Sequence, residues 1–370
     1  MDDVSQFGPT TKDFWQDCVL STARIDIPLA LMSAAGFFVV VVCLTLNHRR
    51  LLLKHPTSQQ QAYFLRLTMM PLVFGTSAFL TLLTPRSWPV WTLVMKQYEA
   101  YTLYCFGRCI FLLVGREAAA RTREERVGQD PQKQALIPVH AEDANEMKRI
   151  LLALRAEGPR KFYATPPCLC WFRLCMTPRL VVLSDMRLVL RLLDQFVIVS
   201  VAMSLMLIWL RLAWNIDTPF KKFGKGIESV SGLVAIQGTV ILLFATIRIL
   251  DDWCIKLKFV SIKILIAMST MQEGVIGFFV PSTGGFTGKC SLHGESQIQF
   301  WVMWFVTVES MLLAVLHRYA YSDKELLGAE DFDGVRVLSL TREIRELEEA
   351  EEELRRAANQ TQSATFTLGP

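Results

Sequence analysis

The sequence predicts an all-α polytopic membrane protein: a seven-transmembrane-helix bundle with its N-terminus outside and its C-terminus cytoplasmic. Three observations predict it. Hydrophobic residues make up 52% of the 370, too many for an ordinary soluble domain. Several apolar runs reach the roughly 20 residues needed to cross a hydrocarbon core of about 30 Å. Lysine and arginine concentrate in the connections on one side, which orients the chain.

Residues 1–26 form an acidic extracytoplasmic segment, whose five acids and two bases suit neither a secretory signal nor a transit peptide. The first span, 27–46, reads "IPLALMSAAGFFVVVVCLTL" and carries no charge. Arg49, Arg50 and Lys54 follow with no acid in 47–63, so that connection is cytoplasmic. The next spans are 64–83 and 91–115. Runs this long, without alternation, are helices in lipid. The cytoplasmic loop 116–188 opens as a helical continuation, "REAAARTREERVG". Within it, Asn145 to Gly158 reads as an amphipathic helix with Met147, Ile150, Leu151 and Leu154 on one face, lying on the membrane surface or against the bundle. The remaining spans are 189–210, 229–250, 259–280 and 298–317, completing a transmembrane domain over 27–320. Lys221, Lys222 and Lys225 in 210–228 are the exception to the charge bias, because they fall outside. The acidic cytoplasmic tail, 321–370, holds "LSLTREIRELEEAEEELRR", a solvated helix rather than a coiled coil, since Glu351 occupies a core position. Its last residues have the composition of a disordered end.

No metalloprotease, hydrolase, nucleotide-loop or dinucleotide motif is present, and the five histidines are scattered without metal-ligand spacing. The expectation is a non-enzyme with no catalytic residues, cofactor, metal or nucleic-acid partner. The nine cysteines do not form a disulfide framework. Cys18 and Cys290 alone fall in outside segments, which leaves a disulfide between them open. In "PPCLCWFRLC", Cys168, Cys170 and Cys175 are too few for a structural zinc. Placed beside Trp171 and Phe172 near a span, they are candidates for S-palmitoylation.

Charges inside apolar spans are costly and usually face a bundle interior or a wet cavity. Those singled out are Glu99, Arg108, Arg191, Asp194, Lys263, Glu273 and Glu309. Arg191, Lys263 and Glu273 lie near span ends, where snorkelling or pairing competes with function. Arg191 and Asp194, three apart, can neutralise one another. Glu99 and Glu309 are expected to find partners off their own helices. In "QYEAYTLYCFGRC", Tyr98, Tyr101, Cys105 and Cys109 share a face from which Glu99 and Arg108 diverge. A helix polar on more than one side belongs inside a bundle. In the tail, "EDFDGV" places Phe332 and Val335 at the spacing of short motifs bound by ubiquitin-like autophagy modifiers, with an ordinary acidic linker as the competing reading.

Several segments together resemble the organic solute transporter subunit alpha family, with its seven-span solute transporter alpha-like and transmembrane protein 184-like relatives. They are "NHRR", "YEAYTLYCF", "PPCLCW", "KFVSIKILIAMSTMQ" and "VESMLLAVLHRYAY", in the family's order over roughly Ile27 to Tyr321. Met271 stands before Gln272 where the family typically has a tryptophan. The resemblance implies a plasma, endosomal or vacuolar membrane protein that moves amphipathic organic anions, such as steroid or bile-acid conjugates, down their gradient. It also implies a single-span beta subunit or a homo-oligomer as partner, and lipidation of the cysteine loop. The expected solute pathway comprises Tyr98, Glu99, Tyr101, Arg108, Asp194, Gln272, Glu309 and His317. The alternative is an endomembrane or vacuolar receptor or scaffold recruiting cytosolic partners through its loop and tail. The third span lacks the Asp-Arg-Tyr, and the seventh the Asn-Pro-x-x-Tyr, of a G-protein-coupled receptor.

Overall fold

The computed structural model describes residues 11–20, 26–55, 57–127, 150–151, 154–155, 158, 180–214, 219–262, 275–276 and 295–326. The described residues are helical, with no strand. In chain order the α-helices are α1 (Thr11–Phe14), α2 (Asp26–Leu52), α3 (Gln59–Thr68), α4 (Met70–Leu83), α5 (Trp88–Val127), α6 (Leu183–Trp214), α7 (Pro219–Thr246) and α8 (Glu295–Ala320). Residues 255–262 are also helical. Four stretches are long and apolar enough to cross a membrane: Asp26–Leu52, Gln59–Leu83, Ser184–Met206 and Gln297–Ala320. Val230–Thr246 is a shorter apolar helix. The expected third span lies in α5, where Lys96, Glu99 and Arg108 dilute the hydropathy. Most of the expected sixth span lies outside the described residues.

The chain divides into two compact units. Unit 1 contains Met1–Phe106, Leu193–Ile236 and Asp252–Glu330, and its centre is the mutual packing of α2, α4 and α8. Lipid gives helices no hydrophobic reason to associate, so small residues and side-chain hydrogen bonds must hold them. Gly75 supplies the close approach: a Cβ there would meet Val41 Cγ1 at 3.3 Å and Ser310 Cβ at 3.4 Å. Trp304 Nε1 donates to Ser33 Oγ at 3.0 Å, tying α8 to α2. Phe38 stacks on Phe79 at 4.8 Å.

Local chemistry sets the helix limits. Ser58 caps α3 by accepting the Gln61 N–H at 3.1 Å. Pro71 cannot donate to the preceding turn, and the helix breaks at Met69 before α4 resumes. Thr84 stops α4, followed by Pro85. A π-helical stretch, Trp15–Val19, continues α1, and its Trp15 Nε1 donates to the Leu83 carbonyl at 3.3 Å while Phe14 meets Phe300. Cys18 is disulfide-bonded. Since Cys43, Cys105, Cys109 and Cys254 are not, its partner lies outside the described residues. Hydrogen bonds also fasten α5 to α6 (Gln97 Nε2 to the Ser200 carbonyl) and α7 to α6 (Ser231 Oγ to Gln195 Oε1).

Unit 2 contains Gly107–Leu192, Gln237–Asp251 and Asp331–Pro370. Gly238 lets α7 approach α6 closely, because a Cβ would lie 3.2 Å from Leu192 Cβ. The Asp185 carboxylate accepts the Val182 N–H at 3.0 Å, half of a capping box at the start of α6. Ile150, Leu151 and Leu154 of the expected amphipathic helix are buried, and Arg155 Nε donates to the Val181 carbonyl.

Candidate functional site

Of the expected solute-pathway residues, Tyr98, Glu99, Tyr101, Asp194, Glu309 and His317 lie in unit 1, and Arg108 lies buried in unit 2. Gln272, Cys168, Cys170, Cys175, Phe332 and Val335 lie outside the described residues. Glu99 corrects its expectation: it is buried and pairs with Lys96 on its own helix, three residues back, at 3.3 Å. Glu309 is also buried, on α8, beside the junction residue Ser310. Asp194 is half-buried on α6.

Two polar constellations stand out within unit 1. The first joins α3 to α5. Tyr98 Oη donates to the Arg66 carbonyl at 2.7 Å. That carbonyl sits one residue before the one that Pro71 leaves without its helical donor, so the tyrosine anchors α5 at an irregular turn. Tyr98 and Tyr101 pack edge to face, with centroids 5.9 Å apart. The Arg66 guanidinium lies over Tyr63, 5.6 Å from its centroid, and with the Tyr101 hydroxyl it reaches the Cys105 thiol. Arg66 is exposed, although it lies inside the candidate span Gln59–Leu83. It lies closer to the Gln59 end of that stretch than to its centre, where the insertion cost is below the roughly 3 kcal/mol of a mid-span arginine and the head can reach toward the interface.

The second constellation gathers segments far apart in sequence. Lys258, 1% exposed at its side chain, donates to Glu325 Oε1 and Oε2 at 2.8 and 2.7 Å and to the Trp253 carbonyl. Its ammonium lies 5.5 Å from the Phe64 centroid and 5.8 Å from that of Tyr321, within cation–π range of both. Gln60 Nε2 donates to the Glu325 carbonyl, and His48 Nε2 meets the Tyr321 carbonyl at 2.9 Å. Gln61 spends its amide on the carbonyls of Leu52 and His55. His317 belongs here, fully buried with its ring edge-on to Tyr321 at 5.2 Å. Its ring lies beside the Ser261 backbone, with neither nitrogen in hydrogen-bond geometry.

The two constellations differ in character. The Lys258 node is closed and self-neutralising, and it fastens the ends of α2, α3 and α8 to 253–262. The Arg66 face is open and cationic. Sequence reasoning missed Arg66, His48, Lys258 and Glu325 as members of these sites. Arg66 was legible as a charge within the 64–83 run; nothing local marked Glu325 as the partner of a lysine 67 residues away. No group of three His, Cys, Asp or Glu suited to a metal occurs among the described residues.

No curated protein and no solved structure matches the chain. The family model for Organic solute transporter Ostalpha matches residues 30–326, which include both constellations and all four long apolar stretches but for the first few residues of one. An integral membrane protein is what those stretches and that match require. The chain belongs to the Organic solute transporter Ostalpha family.

Proposed function

We propose that the protein is a facilitative transporter of organic, amphipathic and anionic solutes, such as steroid or bile-acid-like conjugates, in a plasma, endosomal or vacuolar membrane. It works as a seven-span, N-out bundle with no enzymatic step. The observation that carries this reading is the burial of Glu99 on α5 and of Glu309 on α8, in a chain of a solute-transporter family. Acids are retained at such cost where a polar solute or ion must pass. The disulfide at Cys18 supports the orientation, because disulfides persist in oxidising compartments. Acylation at Cys168, Cys170 and Cys175 and association with a single-span subunit or a second copy complete the reading.

Uptake of a labelled steroid conjugate by proteoliposomes tests it. Glu99→Gln and Glu309→Gln are each expected to alter the uptake kinetics at unchanged incorporation. Wild-type kinetics in both variants would remove the acids from the pathway, and no uptake by the wild-type chain would refute transport of this class.

A further inference from the structure

We propose that Arg66, with Tyr63, Tyr98 and Tyr101, forms an anion-binding subsite that takes the charged group of the solute and lays its apolar body along the rings. The identity of the ligand as solute rests on the transport reading above; the subsite itself rests on geometry. Arg66 sits seven residues inside the candidate span Gln59–Leu83, roughly 10 Å from its end at 1.5 Å per residue. Among the described residues no carboxylate lies within ion-pair distance of its guanidinium. The acid on the neighbouring stretch of α5, Glu99, is buried and engaged by Lys96. Cys105 offers a thiol, too weak an acceptor to balance a cation. An intramembrane cation thus stands exposed with its charge uncompensated by this face.

The surroundings suit a particular chemistry. Guanidinium presents a planar fork of N–H donors that matches carboxylate and sulfate bidentately. The guanidinium lies over the Tyr63 ring, 5.6 Å from its centroid, and the Arg66 side of this face is exposed. The Tyr98 bond to the Arg66 carbonyl fixes the height of α5, so the tyrosines and the arginine keep one register. Tyr101 is 36% exposed, leaving ring surface for an apolar body. An anionic phospholipid shares this chemistry of charged head and apolar body, so the experiment must separate the two sources.

Purified full-length chain in phosphatidylcholine nanodiscs is titrated with a radiolabelled steroid sulfate and with the uncharged glucoside of the same steroid. The wild type is expected to prefer the sulfate by tenfold or more. Arg66→Gln should bring that preference below threefold by weakening sulfate binding alone. Arg66→Lys should recover part of it, keeping the charge without the fork. A wild type without preference, an Arg66→Gln variant that keeps it, or one that weakens both conjugates equally overturns the subsite. The titration is repeated with phosphatidylglycerol in the disc, where the sulfate preference should persist. Its abolition there would make a lipid headgroup the occupant and overturn the assignment to solute. Binding is read without flux, so absent uptake in proteoliposomes would refute transport while leaving the subsite standing.

Discussion

The buried pair Lys258–Glu325 gives the sharpest test of what holds unit 1 together. Removing one partner of a buried ion pair costs about 3–5 kcal/mol, because the other charge is left in a poor solvent. Glu325 keeps 15% side-chain exposure and Lys258 keeps 1%, so stranding the lysine is the worse event. Glu325→Leu is therefore expected to cost about 4 kcal/mol, and Lys258→Met about 3. The Lys258→Met figure includes about 1 kcal/mol for the Trp253 carbonyl left without its donor.

The double variant, Lys258→Met with Glu325→Leu, strands no charge. Well-packed apolar replacements of a buried pair are often neutral or better. Here the lost carbonyl partner and the two lost ring contacts keep a net cost, about 1–2 kcal/mol. The double should thus be more stable than either single. At about 2 °C per kcal/mol for a chain of this size, the singles should melt about 6–8 °C below wild type and the double about 2–4 °C below. Size-exclusion chromatography of detergent-solubilised protein heated through a temperature series reads these midpoints. A double variant as unstable as the worse single would show that shape and hydrogen bonding, rather than charge compensation, hold the node.

The same melting assay checks two further sites. Gly75→Leu should cost about 1–3 kcal/mol by overpacking against Val41 and Ser310, while Gly75→Ala, whose Cβ meets atoms at 3.3 and 3.4 Å, should cost less; equal midpoints would contradict the close approach of α2, α4 and α8. His48→Ala should cost about 1–2 kcal/mol, since it strands the buried Tyr321 carbonyl, and an unchanged midpoint would remove that bond from the ledger. On denaturing gels the wild-type chain should migrate differently with and without reductant, and Cys18→Ser should abolish the difference; a wild type insensitive to reductant would refute the disulfide.

Much of the fold was legible because membrane crossing is written in local terms. A charge-free run of about 20 residues reports hydrocarbon thickness directly, which is why 27–46 lies within the Asp26–Leu52 helix. The second crossing was harder. It was expected at 64–83 and begins at Gln59, because Ser58 caps it and the amides of Gln60 and Gln61 are absorbed by backbone carbonyls. Polar side chains that spend their hydrogen bonds on backbone carbonyls, near in sequence for Gln61 and 265 residues away for Gln60, do not look apolar in sequence, yet they can sit in a buried helix. Glu99 was expected to pair across helices, and its nearer partner was Lys96, one turn back. His317 was placed among the solute-pathway residues. Its register on α8 points it at Tyr321 and the Ser261 backbone, contacts that depend on tertiary packing and leave no local trace in the sequence.

Among the described residues, the segments that carry the family resemblance reach two different constellations of unit 1. "NHRR" brings His48, "KFVSIKILIAMSTMQ" brings Lys258, and "VESMLLAVLHRYAY" brings His317 and Tyr321, all to the Lys258 node. The contacts of His48, Lys258, His317 and Tyr321 therefore describe how the helix ends of unit 1 are locked together, which is a property of the fold. Among the described residues, "YEAYTLYCF" is the motif that reaches the Arg66 face, through Tyr98, Tyr101 and Cys105. Arg66 and Tyr63 lie outside every one of these motifs. A chain carrying all of the motifs and a neutral residue at position 66 would keep the node, and with it the assembly of unit 1, yet lose its preference for an anion. In the proposed subsite the anion preference rests on residues outside these motifs, and discrimination among solutes should be sought on the face between α3 and α5.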